Sequence, residues 1–216
     1  ILHDTVEDTP ATTEEVTDLF GEDVATIVEG ATKIRQIKFK LRDETYYTEN
    51  IRKMLLAMAQ DIRVVLVKLA DRLHNMQTLD AMPKDKQKRI SRETLDIYAP
   101  LSSRLGMGEL KGQLEDLAFP YLFPDEYSWT KKLIATELSR KEDYIDEIES
   151  KLKKILNKDK IKYVDIHGRV KHVYSLYRKL QRYENNINKI FDIVAIRVIV
   201  PNVKACYAAL GAIHNT

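Results

Sequence analysis

Hydrophobic residues recur at helical spacing through the first half of the chain. Between residues 51 and 76 they occupy positions i, i+3, i+4 and i+7 of successive turns, which is typical of a helix that faces a core. The set comprises Ile51, Met54, Leu55, Met58, Ile62, Val65, Leu66, Leu69, Ala70, Leu73 and Met76. A Val-rich stretch lies in this region, but its length and polar periodicity favour a helix over a strand.

The N-terminal segment carries explicit helix signals. Thr12, with Glu15 three residues later, forms a capping-box pattern, which predicts a helix through about Val28. Gly21 interrupts this pattern and predicts two shorter helices in place of one. The polar and basic stretch 33–48 has only weak periodicity, and we expect a mobile connection there.

Two further amphipathic patterns predict helices over 84–98 and 101–118. An aromatic segment then predicts a break between Pro120 and Pro124. After this break, apolar residues along one side predict a long charged helix over 126–157.

The pattern changes near residue 161. It predicts a short strand at Tyr163–Ile166, a basic amphipathic helix at 171–183, a buried β-branched strand at 190–200 and a helix at 203–213. The predicted fold class is therefore mainly α: an all-helical part, connecting helices, and then the beginning of an α/β part.

Composition narrows the function classes. The 216 residues carry 35 Lys and Arg against 33 Asp and Glu, a formal net charge of +2, so the global charge indicates no nucleic-acid partner. Cys206 is the single cysteine, which excludes an intrachain disulfide and a cysteine-based zinc site. No apolar run approaches the ~20 residues of a membrane span. We expect a cytoplasmic protein without a signal peptide.

Charged side chains gather in two groups on predicted helices. The first group stands near the N-terminus and consists of His3, Asp4, Glu7 and Asp8. The second group stands near the end of the core helix and consists of Asp71, His74 and Asn75. An imidazole and two carboxylates are ligands that suit Mn²⁺, Zn²⁺ or Fe²⁺. Neighbouring carboxylates could orient and deprotonate a metal-bound water.

Each group alone has an ordinary structural interpretation. Charged residues near a helix end are usually solvated, Asp71 could pair with Arg72, and His74 could be a hydrogen-bonded core histidine. The order His-Asp followed by Asp, with both groups on helices, favours a metal site.

A second constellation lies between residues 168 and 200. Cations and a hydroxyl gather at a turn and a helix start, where they would attract a phosphate chain; they are Arg169, Lys171, His172, Ser175 and Lys179. Asp192 stands inside an apolar strand, which is costly unless the carboxylate binds a cation or forms hydrogen bonds. Arg197 follows on the opposite face of a regular strand. A solvated basic face with an Asp at a strand end explains these residues equally well.

Five segments occur in one order along the chain: HDTVEDT, VKLADRLHNM, RETLDIYAPLSSRLGM, GRVKHVYSLYRK and IFDIVAIRVIV. The first two resemble the HD superfamily of metal-dependent phosphohydrolases. The full set resembles the RelA/SpoT homologue family, the (p)ppGpp synthetase/hydrolases of the bacterial stringent response. The resemblance runs from residue 1 to 216, and the intact acidic motif implies the bifunctional Rel/SpoT type with a working hydrolase.

The resemblance implies three parts. They are an all-helical HD-superfamily hydrolase domain over 1–118, connecting helices over 119–158, and the start of an α/β nucleotidyltransferase-like (p)ppGpp synthetase domain over 159–216. The implied enzyme is a guanosine-3′,5′-bis(diphosphate) 3′-pyrophosphohydrolase that releases pyrophosphate and GDP or GTP. It is joined to a GTP pyrophosphokinase that transfers pyrophosphate from ATP to GDP or GTP.

The resemblance also assigns roles to the hydrolase residues. His3, Asp4 and Asp71 match ligands of Mn²⁺. Glu7 and Asp8 match the acidic pair that activates water. Two more positions match residues that line the guanosine nucleotide; they are Asn75 and Thr78.

In the synthetase part the resemblance assigns an ATP-handling motif, whose residues are Arg169, Lys171, His172, Ser175 and Lys179. Asp192 matches a ligand of Mg²⁺, and Arg197 matches a residue that stacks on adenine. The implied partners are (p)ppGpp, GDP or GTP, and ATP, with no membrane. Contacts with a ribosome or other regulators would belong to regions absent from this chain.

The sequence departs from the family pattern in a few places. Gln77 stands where relatives usually carry Arg, and Val170 stands where Pro is common. The family's first metal-binding His would precede Ile1, and the synthetase's catalytic Glu and guanine-stacking Tyr would follow Thr216. We therefore interpret the chain as an excerpt and expect it not to synthesise (p)ppGpp.

Two alternative functions belong to other classes. The chain could be a catalytically silent, nucleotide-sensing regulatory module. It could also be an unrelated HD-superfamily nucleotide phosphohydrolase, which would leave residues 168–200 unexplained.

Overall fold

The computed structural model describes residues 2–35, 61–139, 142–190 and 193–215. Two compact units divide the chain, Ile1–Leu122 and Phe123–Thr216. The helical pattern predicted at residues 51–58 and most of the predicted connection at 33–48 lie outside the described residues.

The first unit is built from helices. In chain order these are a 3₁₀ turn (Leu2–Asp4), α1 (Thr5–Asp8), α2 (Thr13–Phe20), α3 (Glu22–Arg35), α4 (Ile62–Gln77), a second 3₁₀ turn (Leu79–Ala81), α5 (Lys84–Glu93), a π-helical segment (Thr94–Tyr98), α6 (Ala99–Arg104) and α7 (Gly108–Leu122).

The capping box at the start of α2 is confirmed. The Thr12 hydroxyl accepts from the Glu15 backbone N–H at 3.2 Å, and a Glu15 carboxylate oxygen accepts from the Thr12 N–H at 2.9 Å. Gly21, with a φ of 86°, separates α2 from α3, as predicted. The prediction that the helix ends near Val28 is wrong, because Ala31 one turn further on is also fully buried and α3 continues to Arg35.

α3 packs against both the Leu2–Asp4 turn and α4. These two segments carry members of the two polar groups predicted to form the metal site. The close approach to α4 is at Gly30, where an added Cβ would lie 2.7 Å from Val64 Cγ2. Val64 is only 2% exposed, so it has no room to move aside. A residue without a side chain is therefore required at position 30.

We expect Gly30→Ala to lower the free energy of unfolding by about 1 kcal/mol, because overpacking costs about 1–3 kcal/mol. Part of that cost is offset by the better helix propensity of Ala, worth up to about 1 kcal/mol. Urea denaturation measures the change. The matched control is Gly108→Ala, where nothing lies within 4 Å of an added Cβ and stability should hold or rise. A Gly30→Ala variant as stable as the wild type would contradict this account.

The predicted core helix at 62–76 is confirmed as α4, but its buried face is rotated from the predicted one. Ile62 and Leu66 are 52% and 45% exposed, so their assignment to the core is wrong. Ala70 is exposed as well. Val65, Leu69 and Met76 are buried as predicted, and Val64 and Lys68 are buried beside them. This difference arises because the packing of α3 against Val64 selects which side of α4 faces inward.

Prolines interrupt the helices less than predicted. Pro100 lies in the first turn of α6, directly after the π-helical segment, and the helical run continues through it. Pro120 lies inside α7, which ends at Leu122, and α8 begins at Pro124, so the predicted break between Pro120 and Pro124 is confirmed at Phe123. The helix predicted to end at residue 118 continues to Leu122, although Pro120 lacks the N–H for one helical hydrogen bond.

The second unit combines helices with a small sheet. Its elements are α8 (Pro124–Ser139), α9 (Glu142–Lys158), β1 (Asp165–Val170), α10 (Val173–Arg182), a 3₁₀ turn (Ile187–Lys189), β2 (Val194–Ile199) and α11 (Val203–His214). The predicted helix over 126–157 corresponds to α8 and α9, with residues 140–141 outside the description. The helices predicted at 171–183 and 203–213 are confirmed as α10 and α11.

Strands β1 and β2 pair antiparallel, with register from Asp165↔Ile199 to Val170↔Val194. One face of the pair packs on α9 and α11 through Ile166, Ile196, Val198, Leu156 and Ala209. The strand predicted at Tyr163–Ile166 thus begins later and extends further. The prediction of a fully buried strand at 190–200 is also wrong, because β2 has exposed residues on its other face.

The predicted mainly α fold class is confirmed. In the described part of the chain, no helix combines the length and hydropathy of a membrane span.

Candidate active sites

Asp71 lies on α4 with its carboxylate held by two neighbours on the same helix. Asn75 Nδ2 donates to Oδ1 at 3.0 Å, and Lys68 Nζ lies 4.0 Å from Oδ2. The spacings of three and four residues place these side chains along one line of the helix surface. The Asp71 side chain is 22% exposed, whereas that of Lys68 is only 8% exposed. Asp71 is therefore an oriented oxygen donor at the edge of the core.

The first charged group occupies the Leu2–Asp4 turn and α1. Asp4 is half-buried, while Glu7 and Asp8 are exposed. The His3 side chain lies outside the described residues. Apolar neighbours anchor this segment to α2 and α3; they are Leu2, Val6, Val16, Val24, Ala25 and Val28. The anchoring fixes the backbone from which the four ionisable side chains project.

The donors described in this unit have the chemistry that a divalent ion requires. Asp4 and Asp71 offer carboxylate oxygens, which Mn²⁺ and Mg²⁺ favour. Among side chains that the structure describes, no three from His, Cys, Asp or Glu stand close enough together to hold an ion. His3, the predicted nitrogen ligand, is outside that set. The donor types of Asp4 and Asp71 therefore fit a divalent ion. That these residues and His3 bind one ion together stays a prediction.

Asn75 and Thr78 lie at the C-terminal end of α4. Both are exposed, as is His74 between Asp71 and the helix end. The His74 carbonyl accepts from both the backbone N–H and the hydroxyl of Thr78, each at 3.2 Å. Asn75 has a second amide hydrogen beyond the one given to Asp71, so it could also meet a ligand.

Arg72 makes an interaction that sequence reasoning missed. Its guanidinium carbon lies 4.0 Å from the centre of the Tyr98 ring, and its Nη2 lies 3.4 Å from a Glu93 carboxylate oxygen. Tyr98 is buried, and the Arg72 and Glu93 side chains are nearly so. The suggested pairing of Arg72 with Asp71 is therefore replaced by this clamp, which ties α4 to the π-helical segment. The position of Arg72 directly after the candidate ligand Asp71 was the only local sequence signal for this clamp.

The π-helical segment makes a second contact with α4. The buried Thr94 hydroxyl lies 3.3 Å from Met76 Sδ and donates to the Ile90 carbonyl at 2.7 Å. Burial raises the pKa of the Asp96 carboxyl above its ordinary value, and Arg92 opposes that shift. Such π-helical insertions are frequent at functional sites. Here the insertion sets the position of the end of α4 that carries Asp71.

The second candidate site surrounds the start of α10. The Lys171 backbone N–H donates to the Ile193 carbonyl at 3.0 Å and so extends the strand pairing, and His172 is the N-cap residue of α10. Four predicted nucleotide contacts are half-buried here: Lys171, His172, Ser175 and Lys179. Ser175 and Lys179 stand one turn apart on the flank of the buried face, which suits contact with a linear phosphate chain.

Glu149 on α9 supports the turn that leads to this site, and sequence reasoning missed it. Its Oε1 accepts from the Gly168 N–H at 2.6 Å, and its Oε2 lies 3.7 Å from Lys153 Nζ. A Cβ at Gly168 would lie 2.9 Å from Ile145 Cγ2. The glycine therefore allows β1 to approach α9 closely where the basic motif begins.

Arg197 lies opposite His167 in the β1–β2 register. On the same face His167 Nδ1 and Asp165 Oδ2 are 2.6 Å apart, and this hydrogen bond lowers the pKa of the Asp165 carboxyl. Arg169 pairs with Ala195 in the register, but its side chain is outside the description, as is all of Asp192. The predicted Mg²⁺ ligand is therefore not placed.

Aromatic side chains pack within α10 and between α10 and Phe123, the first residue of the second unit. The Tyr177 ring lies 6.1 Å from that of Tyr174 and 6.3 Å from that of Phe123. Burial raises the pKa of Tyr177, and its hydroxyl accepts from Gln181 Nε2 at 2.7 Å. This packing fixes the helix whose outer flank carries the cations.

Residues 1–108 match the HD domain family, and residues 168–216 match a region found in RelA / SpoT proteins. The chain is 46% identical over 215 residues to a guanosine-3′,5′-bis(diphosphate) 3′-pyrophosphohydrolase of Haemophilus influenzae. It is 47% identical over 217 residues to a GTP pyrophosphokinase of Myxococcus xanthus. It is 44% identical over 215 residues to the bifunctional (p)ppGpp synthase/hydrolase SpoT of Escherichia coli. All three alignments cover 100% of this chain but only 32%, 28% and 30% of the respective relatives.

Proposed function

Since the chain belongs to the RelA/SpoT family of HD-domain proteins, as predicted from its five ordered segments, we propose that it carries a Mn²⁺-dependent (p)ppGpp 3′-pyrophosphohydrolase site. The observation that supports this site most directly is the Asp71 carboxylate, oriented by Asn75 at 3.0 Å. The chain spans about a third of the length of the relatives compared, so the activity is assigned to this chain as a proposal.

In this proposal His3, Asp4 and Asp71 hold the ion. A divalent ion bound there supplies a Lewis acid that makes a water a stronger nucleophile near neutral pH. Glu7 and Asp8 are exposed on α1, where a carboxylate can accept the proton of that water. Asn75 and Thr78, at the exposed end of α4, contact the guanosine nucleotide.

The reaction balances with water as the only co-substrate. The water oxygen bonds to the phosphorus attached to the 3′ oxygen, and the bond between that phosphorus and the 3′ oxygen breaks. The proton taken by the carboxylate passes to the 3′ oxygen. The products are pyrophosphate and GDP or GTP.

The second unit supports a further proposal, that residues 168–216 belong to a GTP pyrophosphokinase domain. The half-buried cations at the start of α10 would contact the phosphates of ATP, together with Arg169 and Ser175. Asp192 would hold Mg²⁺, and Arg197 would contact the adenine. We place these nucleotide reactions in the cytoplasm.

The direct test is pyrophosphate release from ppGpp, with and without Mn²⁺, by a chain extended upstream to include the expected first His. We expect release that depends on the ion. Tight ppGpp binding by calorimetry, without release in Mn²⁺, would overturn the hydrolase proposal in favour of a nucleotide-sensing module.

A further inference from the structure

We propose that Lys68 sets the affinity of the candidate metal site, by placing a buried positive charge against Asp71. The inference rests on the proposed function, because it concerns the ion that this function requires. The proposed function assigns no role to Lys68, and this inference gives it one.

Lys68 is unusual for its burial. Lysines are almost never this deeply buried unless a partner offsets the charge. The Lys68 side chain is 8% exposed, and it lies on α4 between the fully buried residues Val65 and Leu69. The partner that the described residues provide is the Asp71 carboxylate, 4.0 Å from Nζ.

The two neighbours of Asp71 act on it in different ways. Asn75 donates a hydrogen bond of 3.0 Å, which fixes the direction of the carboxylate. Lys68, at 4.0 Å, is beyond hydrogen-bonding distance and acts through its charge alone. Asn75 therefore orients the ligand, and Lys68 adds a positive potential beside it.

A cation beside a ligand carboxylate weakens the attraction of that carboxylate for a second cation. Two unit charges about 4 Å apart interact by about 1 kcal/mol even in water, and by more near a protein interior. A divalent ion carries twice the charge, although it would lie beyond the carboxylate. We therefore expect Lys68 to lower the affinity for a divalent ion by roughly tenfold or more.

The experiment replaces the charge while keeping the shape of the side chain. Lys68→Met retains an unbranched apolar chain of similar length. We expect it to bind Mn²⁺ roughly tenfold or more tightly, as measured by calorimetry on the 216-residue chain. Asn75→Leu should act in the opposite direction and weaken binding by about tenfold or more, because it removes the orienting hydrogen bond.

Lys88→Met is the matched control, since Lys88 is exposed on α5 and the same charge is removed from the protein. Its Mn²⁺ affinity should stay at the wild-type value. Lys68→Gln is a second neutral variant, and circular dichroism shows which variants are folded. Unchanged or weaker Mn²⁺ binding in a folded Lys68 variant would overturn the inference.

Asp71→Asn separates the two proposals. Equal Mn²⁺ binding by the wild type and Asp71→Asn would refute the proposed metal site at Asp71. It would therefore also refute the proposed role of Lys68. Loss of binding in Asp71→Asn, without tighter binding in the Lys68 variants, would leave the hydrolase proposal standing and refute only the Lys68 inference.

Discussion

Replacement of Asp8 by Asn is expected to reduce Mn²⁺-dependent pyrophosphate release from ppGpp by at least about 100-fold. A positioned general base contributes about 10²–10⁴-fold to rate, and the amide of Asn cannot accept the proton of the attacking water. Asp8 ends α1 and is exposed, so the substitution should leave the stability of the chain within about 0.5 kcal/mol of the wild type. Rates of pyrophosphate release at saturating ppGpp measure the effect.

Calorimetry with Mn²⁺ distinguishes loss of the base from loss of the ion, because Asp8→Asn should still bind Mn²⁺. Asp18→Asn is the matched control, since Asp18 is an exposed carboxylate on α2. Its hydrolysis should equal that of the wild type. An Asp8→Asn chain that hydrolyses ppGpp at the wild-type rate would remove Asp8 from the proposed mechanism.

Leu69→Ala is expected to lower the free energy of unfolding by about 3 kcal/mol. Leu69 is 1% exposed on α4, and truncation of a buried leucine costs about 2–5 kcal/mol through lost burial and a residual cavity. This is a large part of the stability of an ordinary domain, about 5–15 kcal/mol. Urea denaturation followed by circular dichroism measures the shift in midpoint.

Leu66→Ala provides the control on the same helix. Leu66 is 45% exposed, so the same truncation should cost less than about 1 kcal/mol. The pair tests the observed rotation of α4, because the sequence pattern placed both leucines in the core. Equal losses of stability for the two variants would contradict the buried face described here.

Local chemistry determined the part of the fold that could be predicted. The capping box of Thr12 and Glu15 forms within one turn, and helices α4, α10 and α11 follow from their own periodicity. The side of α4 that faces inward could not be predicted, since Ile62 and Leu66 fit the apolar pattern as well as Val65 does. Close packing at Gly30 decides that orientation, and its partner lies in another helix.

The candidate sites divide in the same way. The hydrogen bond between Asp71 and Asn75 follows from a spacing of four residues on a helix. The clamp between Arg72 and Glu93 spans 21 residues, and the support of Gly168 by Glu149 spans 19. A charged residue is expected to be solvated unless its distant partners are known. The contacts of Lys68, Arg72 and Glu149 were therefore not predicted. The metal ligand set and Asp192 stay predictions.

The contact between Gly30 and Val64 also constrains how relatives of this chain can diverge. A methyl group added at position 30 needs space that a smaller residue at position 64 would provide. An increase in side-chain size at one position should therefore be compensated by a decrease at the other. Gly30→Ala combined with Val64→Ala should therefore lose less stability than the two single changes added together. Among homologous chains, a larger residue on α3 at this crossing should be accompanied by a smaller one on α4.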